Sequence, residues 1–174
     1  IEGAVTDDSA GVLADATTVT TNDVSPVLTI AEYQQIDGNT TLTGPYRIDD
    51  DLQDLEVGEA IVYIGAENYL APQSGGADFG VRDDAPALHA AEINGDDARL
   101  ALFDATSVVA DGGVVDIAQA KTIAEIAGFS DGSSSFDVTD LSTGMIGEAG
   151  AAGGGIIAAS FVATVRATDA TPDQ

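Results

Sequence analysis

Apolar residues fall in short blocks separated by turn-forming residues along most of this chain, and that texture predicts strands. Thr17–Thr21 and Val27–Ile36 are rich in Thr, Val and Ile, with Pro26 at the entry to the second block. Asp37-Gly38-Asn39 is a turn signal, and Thr40–Ile48 returns as strand, broken by Gly44-Pro45. Val27–Ile48 is therefore expected to form a hairpin-like unit. Asp49–Glu59 is an acidic connection. Ala60–Leu70 contains the continuous apolar run Ile61-Val62-Tyr63-Ile64, as expected of a central buried strand. Pro72–Ala77 is a loop. Asp78–Arg82, Ala87–Ile93 and Arg99–Val109 follow as shorter strands, punctuated by Asp83–Pro86 and by Asn94–Asp97, an Asn-Gly signal for a second hairpin.

One segment changes period. Val115–Phe129 places Ile117, Ala120, Ala124 and Ala127 on one face, with Asp116 able to cap its start and Gly128 able to stop it. It predicts a single short helix. Ser135–Leu141 is a short strand, Gly144–Gly155 a glycine-rich loop, and Ile156–Thr168 a long alternating strand. Residues 1–16 form an extended arm and residues 169–174 a frayed tail. The whole, 1–174, reads as one domain. Roughly eight or nine strands at regular spacing predict an all-β fold, an antiparallel β-sandwich or jelly roll with one inserted helix, without βαβ alternation. No internal repeat stands out.

Charge changes the picture more than composition does. Thirty Asp and Glu oppose five Lys and Arg among 174 residues, for a formal charge of −25. Small soluble domains carry net charges of roughly 2 to 8. Self-repulsion on this scale opposes compaction in dilute buffer. At molar salt the Debye length falls to about 3 Å and screens it. The chain is thus expected to belong to a very salty medium. Its hydrophobic content of 44% argues against disorder. The only cations are Lys121, Arg47, Arg82, Arg99 and Arg166, too few and too scattered to bind nucleic acid or an anionic membrane surface. With no Cys there is neither a disulfide framework nor thiol chemistry. No apolar run reaches the roughly 20 residues of a membrane span. No signal peptide is visible, and the start at Ile1 implies processing or further residues upstream.

Candidate chemistry is sparse. His89 is the sole His, so a zinc site would need carboxylates alone beside it, and a structural or surface role fits better. Acidic clusters occur at Asp49-Asp50-Asp51 with Asp54 and Glu56, at Asp83-Asp84 and at Asp96-Asp97. Loop carboxylates bind Ca²⁺ or other hard cations through oxygen, and Asp49, Asp50, Asp51, Asp54 and Glu56 make the favoured weak cation site. A solvated acidic surface is the competing reading. No other cofactor is expected. Paired carboxylates for glycoside hydrolysis lack the aromatic platform a sugar needs, since Trp is absent. A Ser-His-Asp triad would have to recruit His89 without a G-x-S-x-G elbow. The glycine-rich stretch lacks the following Lys or Arg of a phosphate loop. Asn39-Thr40-Thr41 is a glycosylation sequon. No catalytic residue is assigned, and the chain is not expected to be an enzyme.

In its size, its strand-rich course from Thr17 to Thr168, its short helix at Val115–Phe129 and its acidity, the chain resembles the small single jelly-roll capsid proteins of haloarchaeal icosahedral viruses with an internal membrane. The resemblance covers the full length. It implies a virion subunit packed laterally with its own copies and a related capsid protein, above a bilayer it does not enter. The alternatives are an extracellular or cell-surface β-sandwich module of a halophile, lined by Tyr33, Tyr46, Tyr63 or Tyr69 for sugars with Ca²⁺, and a capsid-decorating or tail protein. Ile1–Ala16, Ala167–Gln174 and Gly144–Gly155 are the expected inter-subunit contacts.

Overall fold

The computed structural model describes residues 18–20, 27–31, 33, 41–43, 47–48, 52–66, 69, 74, 76 and 78–169. Four short strands come first: β1 (Thr18–Thr20), β2 (Val27–Leu28), β3 (Thr41–Thr43) and β4 (Arg47–Ile48). β1 pairs with β3 and β2 with β4, both parallel. A parallel pair cannot be joined as a hairpin, so the hairpin expected over Val27–Ile48 is not formed. Its turn, Asp37–Asn39, lies outside the described residues.

The remainder is α/β. Helix α1 (Val57–Gly65) precedes β5 (Gly80–Asp83), α2 (Ala85–Asn94), α3 (Asp96–Asp104) and β6 (Ser107–Val115). Then come α4 (Ile117–Ala124), β7 (Ser135–Asp140), α5 (Ser142–Ala149), two 3₁₀ turns (Ala152–Gly154 and Ile156–Ala158) and β8 (Val162–Ala167). β5, β6, β7 and β8 form one all-parallel sheet in sequence order. The antiparallel sandwich or jelly roll is therefore overturned, and with it the reading that βαβ alternation is absent.

Each misread element has a local cause. Ala60–Leu70, expected as the central strand, contains most of α1. Its buried residues Ala60 and Tyr63 are three apart, and the Glu59 carboxylate accepts the Glu56 N–H at 3.0 Å to start the helix. Ala87–Ile93 lies in α2, opened by Asp84, whose carboxylate accepts the Ala87 N–H at 2.7 Å, and by Pro86 in the first turn. Asn94-Gly95 joins α2 to α3 rather than two strands; Gly95 takes a φ of +71° there. Gly144–Gly155 is mostly helix and 3₁₀ turn, and Ile156–Thr168 starts as a 3₁₀ turn before β8. Other expectations hold, among them β1 within Thr17–Thr21 and β8 within Ile156–Thr168. β5 and β7 lie where strands were expected. α4 falls within Val115–Phe129, with Asp116 accepting the Gln119 N–H at 2.8 Å and Gly128 just beyond it at φ +77°.

The helices lie together on the sheet. α2 packs on α3, α4 and β6, α1 on α3 and β5, and α4 on β7. The core between them contains Val81, Leu88, Leu102, Val108, Ile123, Phe136 and Val138. The other sheet face is mixed: Ser135 and Asp111 are exposed and Arg82, Asp137 and Thr139 half-buried, with the buried Val109 and the exposed Val114 in register among them. A parallel sheet covered on one side by successive βα units is the pattern of a short repeat stack.

β6 serves two neighbours in turn. Ser107–Ala110 pair with β5, while Asp111, Val114 and Val115 pair with β7. The shift of register between Asp111 and Val114 is made at Gly112 and Gly113, with φ of +89° and +87°.

Candidate functional site

Open α/β sheets hold their ligands beyond the carboxyl ends of the strands, where helix N-termini present unpaired N–H groups. In this chain the carboxylates of its own strand ends fill those positions. Asp83, the last residue of β5, accepts the Asp84 N–H with one oxygen at 2.8 Å. Its other oxygen accepts the Val57 N–H, the first of α1, at 3.0 Å from 26 residues away. Asp140, the last residue of β7, repeats the arrangement. One oxygen accepts the Leu141 N–H at 2.7 Å, and the other accepts the Ile117 N–H at the start of α4 at 3.3 Å, across 23 residues. Asp169, just past β8, accepts the Ser142 N–H at 2.6 Å and its hydroxyl at 2.9 Å, capping α5 across 27 residues. The bond from the Ser142 N–H, followed by that from its hydroxyl, holds the Asp169 carboxyl below the usual carboxylate range.

Each carboxylate thus ties the end of one strand to the helix of the preceding unit. Negative charge at a helix N-terminus is also favoured by the helix dipole. The exceptions are α3, which follows Gly95 without a side-chain cap, and α2, which is started by its own Asp84 while Gly113 packs against its first turn. Asp140→Ala should cost about 1–2 kcal/mol, the scale of a lost helix cap, and Asp140→Asn less, because one acceptor oxygen remains. Chemical denaturation of the three chains in molar salt checks the order.

On the open face, Arg82 of β5 donates to Asp54 at 2.7 Å and to Asp111 of β6 at 3.4 Å, so one guanidinium holds carboxylates from both flanking segments. Leu55 makes a parallel bridge with Val81 beside it. Lys121 of α4 pairs with Glu148 of α5, which also accepts the Ile156 N–H at 3.1 Å. The Lys121 contact first, and the Ile156 bond second, lower the Glu148 carboxyl. These bonds fasten the glycine-rich segment that was expected to be a loop.

Of the weak cation site, Asp49, Asp50 and Asp51 lie outside the described residues. Asp54 serves Arg82, and Glu56 stands at the start of α1. Among the described residues no three His, Asp or Glu gather as metal ligands. His89 is half-buried on α2. Tyr63 and Tyr69 form with Phe79 an edge-to-face cluster, with centroids 5.3 and 5.4 Å from Tyr63. Tyr69 donates to the buried Asp104 at 2.8 Å, and burial first, then that bond, raises its pKa. Tyr33 is buried, and Tyr46 lies outside the described residues. A surface cleft of about 160 Å³ is lined by Glu92, Arg99, Phe103, Glu125, Ile126 and Ala127. Clefts that enclose small molecules run to roughly 300–1,000 Å³. Arg99 is held there by Glu92 at 3.1 Å. Among the described residues no helix is long and apolar enough to cross a membrane.

Sequence reasoning singled out neither Asp140 nor Asp169. Asp140 carried a signal, Val-x-Asp at Val138–Asp140 followed by a helix start, as at Val81–Asp83, whereas Asp169 carried none.

The fold and these contacts define a short stack of acid-tied βα units. No family model matches the chain, and no curated protein or solved structure is significantly similar to it.

Proposed function

We propose that the chain is a non-catalytic building block of a salt-dependent assembly, in a virion or at the surface of a halophile. The supporting observation is the use of the strand-end carboxylates. The positions where an α/β enzyme would bind an anionic ligand are occupied by Asp83, Asp140 and Asp169, which join unit to unit. The chemistry at that edge is scaffolding. The resemblance to single jelly-roll capsid proteins required an upright antiparallel barrel, and the parallel sheet removes that support; the building-block role does not depend on it.

The charge supplies the second argument. Copies carrying −25 each repel one another in dilute buffer, and only in concentrated salt do short-range apolar and backbone contacts dominate. Arg82, Arg99 and Lys121 are already bound to carboxylates, leaving no basic patch for nucleic acid among the described residues. The partners are further copies of the chain and a second acidic protein of the same assembly. Light scattering across a salt series tests this reading. Oligomers are expected in molar KCl and monomers after dilution into low salt. A chain that stays monomeric at every salt concentration would remove the proposal.

A further inference from the structure

The sheet ends at β8, and that end is unfinished in three respects. Among the described residues, β5, β6 and β7 each have hydrogen-bonded neighbours on both sides, counting the Leu55 bridge, whereas β8 has only β7. An apolar row, Val115–Val138–Val165, runs across β6, β7 and β8 in register. Its first two members are 2% and 0% exposed, and Val165 is 42% exposed. Finally, of the cations whose side chains are described, Arg82, Arg99 and Lys121 each hold a carboxylate, and Arg166 on β8 holds none. An unpaired Arg in a chain with thirty acids is a place prepared for one of them.

The chain contains a template for what fits there. Val165-Arg166 repeats Val81-Arg82, which is flanked on the β6 side by Val108-Val109-Ala110-Asp111. In that pairing Val108 stands beside Val81, and Asp111 reaches Arg82 at 3.4 Å. The same pattern, two large aliphatic residues followed by Ala and Asp, occurs once more at Val12-Leu13-Ala14-Asp15. Those residues lie in the acidic first segment, outside the described residues.

We propose that Val12–Asp15 of a second copy adds to the free edge of β8 as a further parallel strand, with Val12 beside Val165 and Asp15 held by Arg166. Edge addition of this kind takes its affinity from main-chain hydrogen bonds and its register from alternate side chains. Arg166 and Val165 make the edge selective for an acidic strand of this pattern, and molar salt removes the long-range repulsion that would otherwise keep two copies apart. The contact is heterologous, one copy giving the strand and the next receiving it, so it propagates into rings or filaments. The inference rests on the building-block reading and supplies its joint.

Complementation in full-length chains tests it. Val12→Asp removes the strand donor and keeps the edge; Arg166→Glu spoils the edge and keeps the donor. Arg166 is exposed, and unchanged circular dichroism of both variants checks folding. In molar KCl each variant alone is expected to be monomeric by sedimentation at concentrations where the parent chain assembles, with association at least about tenfold weaker. An equimolar mixture of the two variants should regain a dimer. If both variants assemble like the parent, the joint lies elsewhere and this inference falls while the building-block reading stands. If the parent itself never assembles, but a peptide spanning Gly11–Ala16 binds the Val12→Asp chain and not the parent, the strand docks within its own chain and the second-copy assignment is overturned.

Discussion

Replacing Phe136 by Ala should lower stability by about 3–5 kcal/mol, the range for removing a buried aromatic side chain. Phe136 is 1% exposed and sits at the join of two units. Its ring lies 5.4 Å from that of Phe161, which meets Phe129 edge-on at 5.1 Å. Its N–H donates to the Phe161 carbonyl at 3.0 Å, so strand pairing and ring packing share one residue. Phe129 in turn bridges to Val108 of β6. The three rings therefore connect β6, β7 and the segment entering β8, and the cavity left by Ala would open between units that cannot close around it without parting. Guanidinium unfolding in constant molar salt should show a lower midpoint at unchanged slope, and melting should fall by about 10 °C. Phe136→Leu, which refills most of the volume, should recover the larger part. A loss below about 1 kcal/mol for Ala would mean that the ring cluster contributes little to the joint.

Gly113→Ala is expected to be nearly as damaging, for a different reason. Gly113 has a φ of +87°, and a Cβ there would lie 2.5 Å from Pro86 Cδ and 3.2 Å from the Ala85 nitrogen. The left-handed backbone costs an Ala about 1–2 kcal/mol, and forcing a methyl against a packed ring adds about 1–3 more. Gly112 separates the two effects. It has a φ of +89° but no neighbour within 4 Å of a would-be Cβ, so Gly112→Ala should show the backbone cost alone. Pro86→Ala, combined with Gly113→Ala, should recover part of the difference between them. Equal losses for the two glycine variants in denaturation would show that the close approach to α2 is immaterial.

The elements that were legible in the sequence carry their signals locally. α4 has its cap at Asp116, its apolar face at Ile117, Ala120 and Ile123, and its stop at Gly128 within a dozen residues. β5 and β7 are short β-branched or aromatic runs between turn residues. The misread elements depend on partners far away in sequence. A continuous run such as Ile61–Ile64 fits a buried strand or a helix equally, and only packing of α1 on α3 decides it. α5 contains Gly144 and Gly147, which lower helix propensity. Its first N–H is capped by Asp169 and its Glu148 is fixed by Lys121, both 27 residues away.

Strand direction was misjudged through burial. Parallel strands are usually covered on both faces and read as unbroken apolar runs. β7 alternates instead, with Phe136 and Val138 buried and Ser135 exposed. Such alternation is usual in antiparallel sheets, whereas here it records a parallel sheet with helices on one side. The candidate site was hidden for a related reason. In a chain so rich in Asp, the acids that cap helices across units look the same as those that face solvent. Asp83 was noted only as half of an acidic pair, and its bond to Val57 is set by tertiary structure.

The sequential order of β5 to β8 has a consequence for how such a chain changes over time. Asp83, Asp140 and Asp169 each address the unit just before their own strand, and no described bond of this kind skips a unit. A duplicated segment of strand, helix and terminal Asp would meet complementary surfaces on either side without disturbing the rest. Kindred chains should then differ in length by whole modules, in increments of about 25 residues, the scale on which stacked repeats grow.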